Sequence, residues 1–161
     1  MRRSRSRPAA QSAGLLLHRV REGKPEVLLV HPGGPFWKKR DEGAWSIPKG
    51  EIEPDETPIE VARREFREEL GIDAPDGELI PLGSVRQAGG KIVHAWAARG
   101  DLDPGSISSM TFEMEWPPRS GRKQPFPEVD RAGWFDLEQA RRMLVEGQRT
   151  FVDRLEETLG R

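Results

Sequence analysis

The sequence predicts an α+β fold in which helices pack on a central mixed β-sheet, and three observations predict it. Apolar runs of strand length, such as "GLLLHRV" and "EVLLV", recur through the chain; one helix-period segment interrupts them; two more close the chain. The resulting order, β, β, α, β, β, β, β, α, α, is not the alternation of βαβ units, so helices layered on a mixed sheet are expected. With 161 residues the chain suits one domain with a sizeable core. We read residues 12–161 as that domain and residues 1–11, with four arginines among the first seven, as a disordered basic tail.

The elements follow in order. "SAGLLLHRV" (Ser12 to Val20) and "PEVLLVHP" (Pro25 to Pro32) flank the polar turn "REGK" and predict a β-hairpin. "GGPFWKKRDEGAWSIPKGEIEPDE" has turn residues and no sustained period, so it is a long loop of the kind that often carries function. A helix should start near Thr57, with Pro58 at its first position and Glu60 completing a capping box, and should stop at Gly71. Ile59, Ala62, Phe66 and Leu70 form its apolar stripe, with Glu65 and Glu69 just beside it and Glu68 a little further round. "ELIPLGSVRQ", "KIVHAWAARGD" and "SSMTFEMEW" read as strands, "PPRSGRKQPFPE" as a second loop, and "AGWF" as a last short strand. "DLEQARRMLVEGQ" and "RTFVDRLEETL" read as the final helices.

Composition excludes several function classes. Lys plus Arg total 26 against 27 for Asp plus Glu, so no overall field recruits nucleic acid or acidic lipid, and any anionic partner must be met locally. The absence of cysteine removes thiolate nucleophiles, disulfides and cysteine-based zinc sites. No apolar run approaches the roughly 18–20 residues that span a bilayer, and the basic start has no apolar stretch behind it. A cytoplasmic protein with no membrane partner is expected.

The helix raises a chemical question. Like charges three and four residues apart cost roughly 0.2–0.5 kcal/mol per pair, yet Glu65, Glu68 and Glu69 stand together at the rim of the core. By itself a Glu/Arg-rich helix fits a solvated, salt-bridged face. The wider window is more specific: Gly50, then Glu56, Arg64, Glu65, apolar Phe66, Glu68, Glu69, Gly71 and apolar Ile72, at fixed spacing over 23 residues. This segment resembles the signature of the Nudix hydrolase family with no departure at a specified position.

The resemblance implies a Nudix fold, an α-β-α sandwich around a mixed sheet, and a Mg2+-dependent (or Mn2+-dependent) hydrolase that cleaves a phosphoanhydride by water attack. Such a reaction needs a hard divalent cation to neutralise phosphate oxygens, and clustered carboxylates suit it. By resemblance, Glu65, Glu68 and Glu69 are expected as metal ligands, one of them possible as the base. The Lys49 carbonyl is a further expected ligand. Arg64 and Glu56 are expected to pair and hold the loop against the helix, and Gly50 to permit close approach of that loop. Glu128, six residues before Trp134, matches a later-loop carboxylate of some family members; Glu113 and Glu115 compete with it.

For the substrate, Lys38, Lys39 and Arg40 and, in the second loop, Arg119, Arg122 and Lys123 are candidate phosphate contacts. The Lys49 side chain belongs with them, and Trp45 or Trp37 could stack on a base. "WSIPKGEIEPDE" resembles the same region of Nudix enzymes that cleave diadenosine and diphosphoinositol polyphosphates, which favours a nucleoside or dinucleoside polyphosphate. Two other readings remain in play: a non-catalytic Nudix-fold nucleotide-binding module, and a hydrolase of RNA 5′ ends, against which the balanced charge argues.

Overall fold

The computed structural model describes residues 10–160; the expected basic tail lies, up to residue 9, outside the described residues. Strands β1 (Gln11–Arg21) and β2 (Lys24–Pro32) form the expected hairpin. Glu22 and Gly23 both take positive φ, 51° and 78°, the geometry by which a two-residue turn matches the twist of its strands. The remaining elements are β3 (Lys49–Glu51), α1 (Pro58–Leu70), β4 (Leu79–Arg86), β5 (Ile92–Arg99), β6 (Thr111–Glu115), β7 (Lys123–Pro127), β8 (Val129–Asp136), α2 (Leu137–Met143) and α3 (Arg149–Leu159).

The main sheet runs β4-β5-β1-β2-β8, with β3 added beside the start of β1. β1 and β5 are parallel and the other pairs antiparallel, so the sheet is mixed. Central β1 explains the layering. Leu15 and Leu17 pack with Phe66 and Leu70 of α1, whereas Leu16 faces Phe151, Val152 and Leu155 of α3 on the opposite side. A strand covered on both faces reads as a continuous apolar run, and "LLL" is that run. The result is an α-β-α sandwich. Gly71 ends α1 at φ 72°, its N–H donating to the Arg67 carbonyl at 2.7 Å.

Several expectations are corrected. The long loop contains a strand, β3, and the second loop contains β7, which pairs with β6 in a separate two-stranded ribbon. Its prolines hid it, being tolerated only because a ribbon leaves edges unpaired. The last strand spans eight residues rather than four. Helix α2 stops at Met143, because backbone bonds from Trp45 N–H to the Met143 carbonyl and from Val145 N–H to the Trp45 carbonyl draw the chain out of the helix. In α1 the Thr57 side chain bonds the Glu60 carboxylate and no backbone N–H, so the capping box is incomplete. Ile59 is 39% exposed, and Val61 takes its place in the buried stripe.

Candidate active site

The site forms where α1 crosses the β1–β3 edge. Burial of Val61, Ala62, Phe66 and Leu70 fixes the rotation of α1, and that rotation turns Glu65 and Glu69 inward, half-covered, toward β3. β3 is held by pairing Gly14 with Lys49 and Ser12 with Glu51. Gly14 has no room for a Cβ, which would strike the Pro48 carbonyl oxygen. At Gly50 a Cβ would strike the Glu65 carboxylate, so this glycine leaves the space that Glu65 fills.

Arg64 organises the rim. Its Nε and Nη2 donate to the two Glu56 carboxylate oxygens, each at 3.0 Å, and its Nη1 donates to Glu65 Oε2 at 2.9 Å. A weaker contact at 3.4 Å reaches Glu68. One guanidinium therefore ties the loop to the helix and fixes the first carboxylate; the planar fork makes this possible.

Glu128 arrives from the β7–β8 junction. Its backbone N–H donates to the Met110 carbonyl and its own carbonyl accepts from Gly33, both at 2.9 Å, so the end of β2, the ribbon and the start of β8 meet at this residue. One carboxylate oxygen each from Glu65, Glu69 and Glu128 lie within 4.8 Å of one another. Glu68 stands beside this trio, close enough to Glu65 to raise its pKa. Glu113 and Glu115 lie exposed on the ribbon, and the Glu115 carboxylate accepts from the Arg119 backbone N–H.

Gathering these carboxylates has an electrostatic cost. Burial, the Glu65 charge and the Glu128 charge push Glu69 up to about 9, with Lys49 opposing. Burial and the adjoining Glu68 push Glu65 to about 7, with Arg64 opposing. Glu128 is also raised, by burial and by Glu68. Acids held this way are poised to exchange a proton for a cation. The donor set, carboxylate oxygens only, fits a hard ion such as Mg2+, and Glu65, Glu69 and Glu128 could hold it.

Lys49, Glu69 and Glu128 line a common cavity of about 130 Å3, together with Ser46, Ile47 and Val129. Burial lowers the Lys49 ammonium from its usual range, with Glu69 pulling it back up. Trp45 is placed differently from the expectation: it is 4% exposed, its Nε1 donates to Asp41, and its ring is packed edge-on by His31 and Phe135. It anchors the long loop to the core and has no face to offer a base. Lys38, Lys39 and Arg40 are exposed, and among the described residues no ion pair joins them to the carboxylates. Arg40 lies 5.6 Å from the Trp37 ring centroid. Arg119, Arg122 and Lys123 sit at the exposed outer end of the ribbon.

Two supporting residues gave no signal in the sequence. His31, fully buried, sits between the Asp130 carboxylate at 2.9 Å and the Arg40 carbonyl at 2.6 Å, clamping the long loop beside Glu128. Gln148, also fully buried, accepts from the Ile47 backbone N–H at 2.9 Å and donates to Gln87 and Ser46, locking the approach to β3.

The chain is similar to known proteins in sequence and in fold. The NUDIX domain family model matches residues 9–155. Among curated proteins, the CTP pyrophosphohydrolase of Escherichia coli (strain K12) is 43% identical over 56 residues, 34% of this chain and 41% of that protein. The RNA pyrophosphohydrolase of Pseudomonas putida (strain GB-1) is 38% identical over 55 residues, 34% of this chain and 35% of that protein. The chain thus spans less than half the length of these curated relatives. Among solved structures, a C. elegans Ap4A hydrolase binary complex superposes with a TM-score of 0.66 at 23% identity, covering 94% of this chain and 98% of that one. The NUDIX domain of Shewanella oneidensis NrtR, solved with ADP ribose, gives 0.65 at 16% identity, covering 96% and 90%. At these identities both show a shared fold.

Proposed function

We propose, since the chain belongs to the NUDIX domain family, that it is a divalent-metal-dependent hydrolase cleaving a phosphoanhydride of a nucleoside or dinucleoside polyphosphate. The observation that carries this reading is the convergence of Glu65, Glu69 and Glu128, from two separate parts of the chain, to within 4.8 Å. A bound Mg2+ would supply charge neutralisation on the phosphate oxygens. The protein's own residues do the rest. Arg64 holds Glu65 in place, Lys49 presents a cation to the cavity, and a carboxylate of the group accepts the proton of the attacking water. A P–O bond to water forms, the bridging P–O bond breaks, and two phosphorylated products leave.

The test is release of phosphorylated products from diadenosine polyphosphates, common nucleoside triphosphates, ADP-ribose, a diphosphoinositol polyphosphate and a 5′-triphosphorylated RNA, with Mg2+ and with chelator. Metal-dependent cleavage of a nucleotide is expected. Silence across the panel would sink the hydrolase reading. RNA cleavage alone, with binding that falls steeply with salt, would move the substrate to nucleic acid.

Two smaller effects follow. Metal binding at pH 7 should release between about one and two protons per ion, because without the ion Glu69 is protonated at that pH and Glu65 is about half-protonated. Calorimetry in two buffers of different ionisation enthalpy reads this directly; identical heats would contradict it. Arg64→Lys keeps the charge but loses the fork to Glu56 and Glu65. Turnover should drop about tenfold or more, as expected when the group orienting a ligand is lost, while the melting temperature changes little.

A further inference from the structure

Resting on the hydrolase reading, we infer that the β6–β7 ribbon and the long loop together form a binding subsite for an aromatic ring carried by the substrate beyond the cleaved bond. The ribbon takes no part in the main sheet. Its base is fastened to the carboxylate site from two sides: the Met110 N–H donates to the Glu68 carbonyl and the Glu128 N–H to the Met110 carbonyl, each at 2.9 Å. The long loop leaves from the same point, because Gly33 donates to the Glu128 carbonyl. The ribbon and the loop therefore both spring directly from the carboxylate site.

Rings of the two segments meet beside it. Phe36 of the loop meets Trp116 of the ribbon edge-on, with centroids 5.4 Å apart, and Phe112 stands over Gly34, where a Cβ would come within 3.2 Å of its ring. Phe36 is 62% exposed and Met110 56% exposed. Large apolar side chains left open at the mouth of a polar site, on both connecting segments, mark a ligand surface. Phe36 lies three residues from Gly33, no farther than about 11 Å along the chain, which is the reach of a nucleoside attached to a phosphate at the carboxylates. Cations outnumber the exposed Glu113 and Glu115 of the ribbon around the Phe36 and Trp116 rings. Lys38, Lys39, Arg119, Arg122 and Lys123 border the aromatic pair on the two segments, and among the described residues none of them is in an ion pair.

The occupant is thus the base of a nucleotide whose phosphate chain runs to the carboxylates. Loss of one base-on-aromatic stack corresponds to about tenfold or more in affinity, which sets the scale of the test. Calorimetry with Ca2+ in place of Mg2+, to slow turnover, compares diadenosine tetraphosphate with inorganic tripolyphosphate, which has no ring. Phe36→Ala, at an exposed position that cannot cost much folding, should weaken the dinucleotide at least about tenfold and leave tripolyphosphate within about twofold; Phe36→Trp should restore dinucleotide binding. Trp116→Ala should act in the same sense if it folds, and Phe36→Ala decides the matter if it does not. Equal weakening of both ligands, no weakening, or a wild-type protein that does not distinguish them would overturn the inference. The two readings fail separately: turnover of nucleotides without dependence on Phe36 removes the subsite alone, and discriminating binding without turnover removes the hydrolase alone.

Discussion

Glu69→Gln should lower Mg2+-dependent turnover by at least about a hundredfold, some 2.7 kcal/mol of transition-state stabilisation. The substitution keeps the shape and hydrogen-bonding reach of the side chain and removes only its capacity to become a charged ligand. Glu69 is the most strongly perturbed carboxylate of the cluster, pushed to about 9 by burial and by Glu65. That perturbation shows that its ionised form is unwelcome without a cation beside it. Wild-type turnover in this variant would remove Glu69 from the proposed metal site.

The same residue makes stability move in the opposite direction. Its pKa without metal is about 9, against an ordinary value of 4.5, so over that interval the folded protein holds a proton that the unfolded chain has released. Stability then falls as pH rises through the window, and Glu65, at about 7, adds to the fall in its lower half. The metal-free protein should melt at progressively lower temperature between pH 5 and pH 9, and Mg2+ should restore much of the loss. In Glu69→Gln the decline should flatten, so the variant is the more stable protein at pH 8 while being the poorer catalyst. Thermal melts at several pH values, with and without the ion, check all of this together.

What was legible in the sequence was whatever is written locally. The hairpin, the Pro58 start and the Gly71 stop depend on residues within a few positions of one another, and the spacing of Phe66 and Leu70 against Glu65 and Glu69 already placed carboxylates at the core rim. Long-range contributions were less visible. Glu128 reaches the cluster only because β8 pairs with β2, which brings Gly33 and Glu128 together across almost a hundred intervening residues. Trp45 was misread because an aromatic in a loop rich in glycine and lysine looks the same whether it points in or out. The deciding partners, His31, Phe135 and the backbone at Met143, come from three other elements. Strand β7 was hidden by its prolines, and with it the ribbon.

Gly50→Ala tests whether the arrangement of the cluster, beyond its composition, governs the chemistry. The Gly50 backbone lies outside the left-handed region, so alanine meets no conformational objection there. The objection is steric: the new Cβ would occupy the place of the Glu65 carboxylate and its Cγ. Glu65 must swing away, breaking its 2.9 Å bond with Arg64 and leaving the other two carboxylates without their third partner. Turnover should fall about a hundredfold, with a parallel loss of metal affinity in calorimetry, although no acid has been removed. A double-mutant cycle distinguishes this from general damage to β3. If Gly50→Ala acts through Glu65, then adding Glu65→Gln should cost little more than either change alone, because both remove the same ligand. Fully additive losses would mean that Gly50 works through the backbone of the loop, and near-normal activity in Gly50→Ala would mean that Glu65 does not need the position it occupies in this structure.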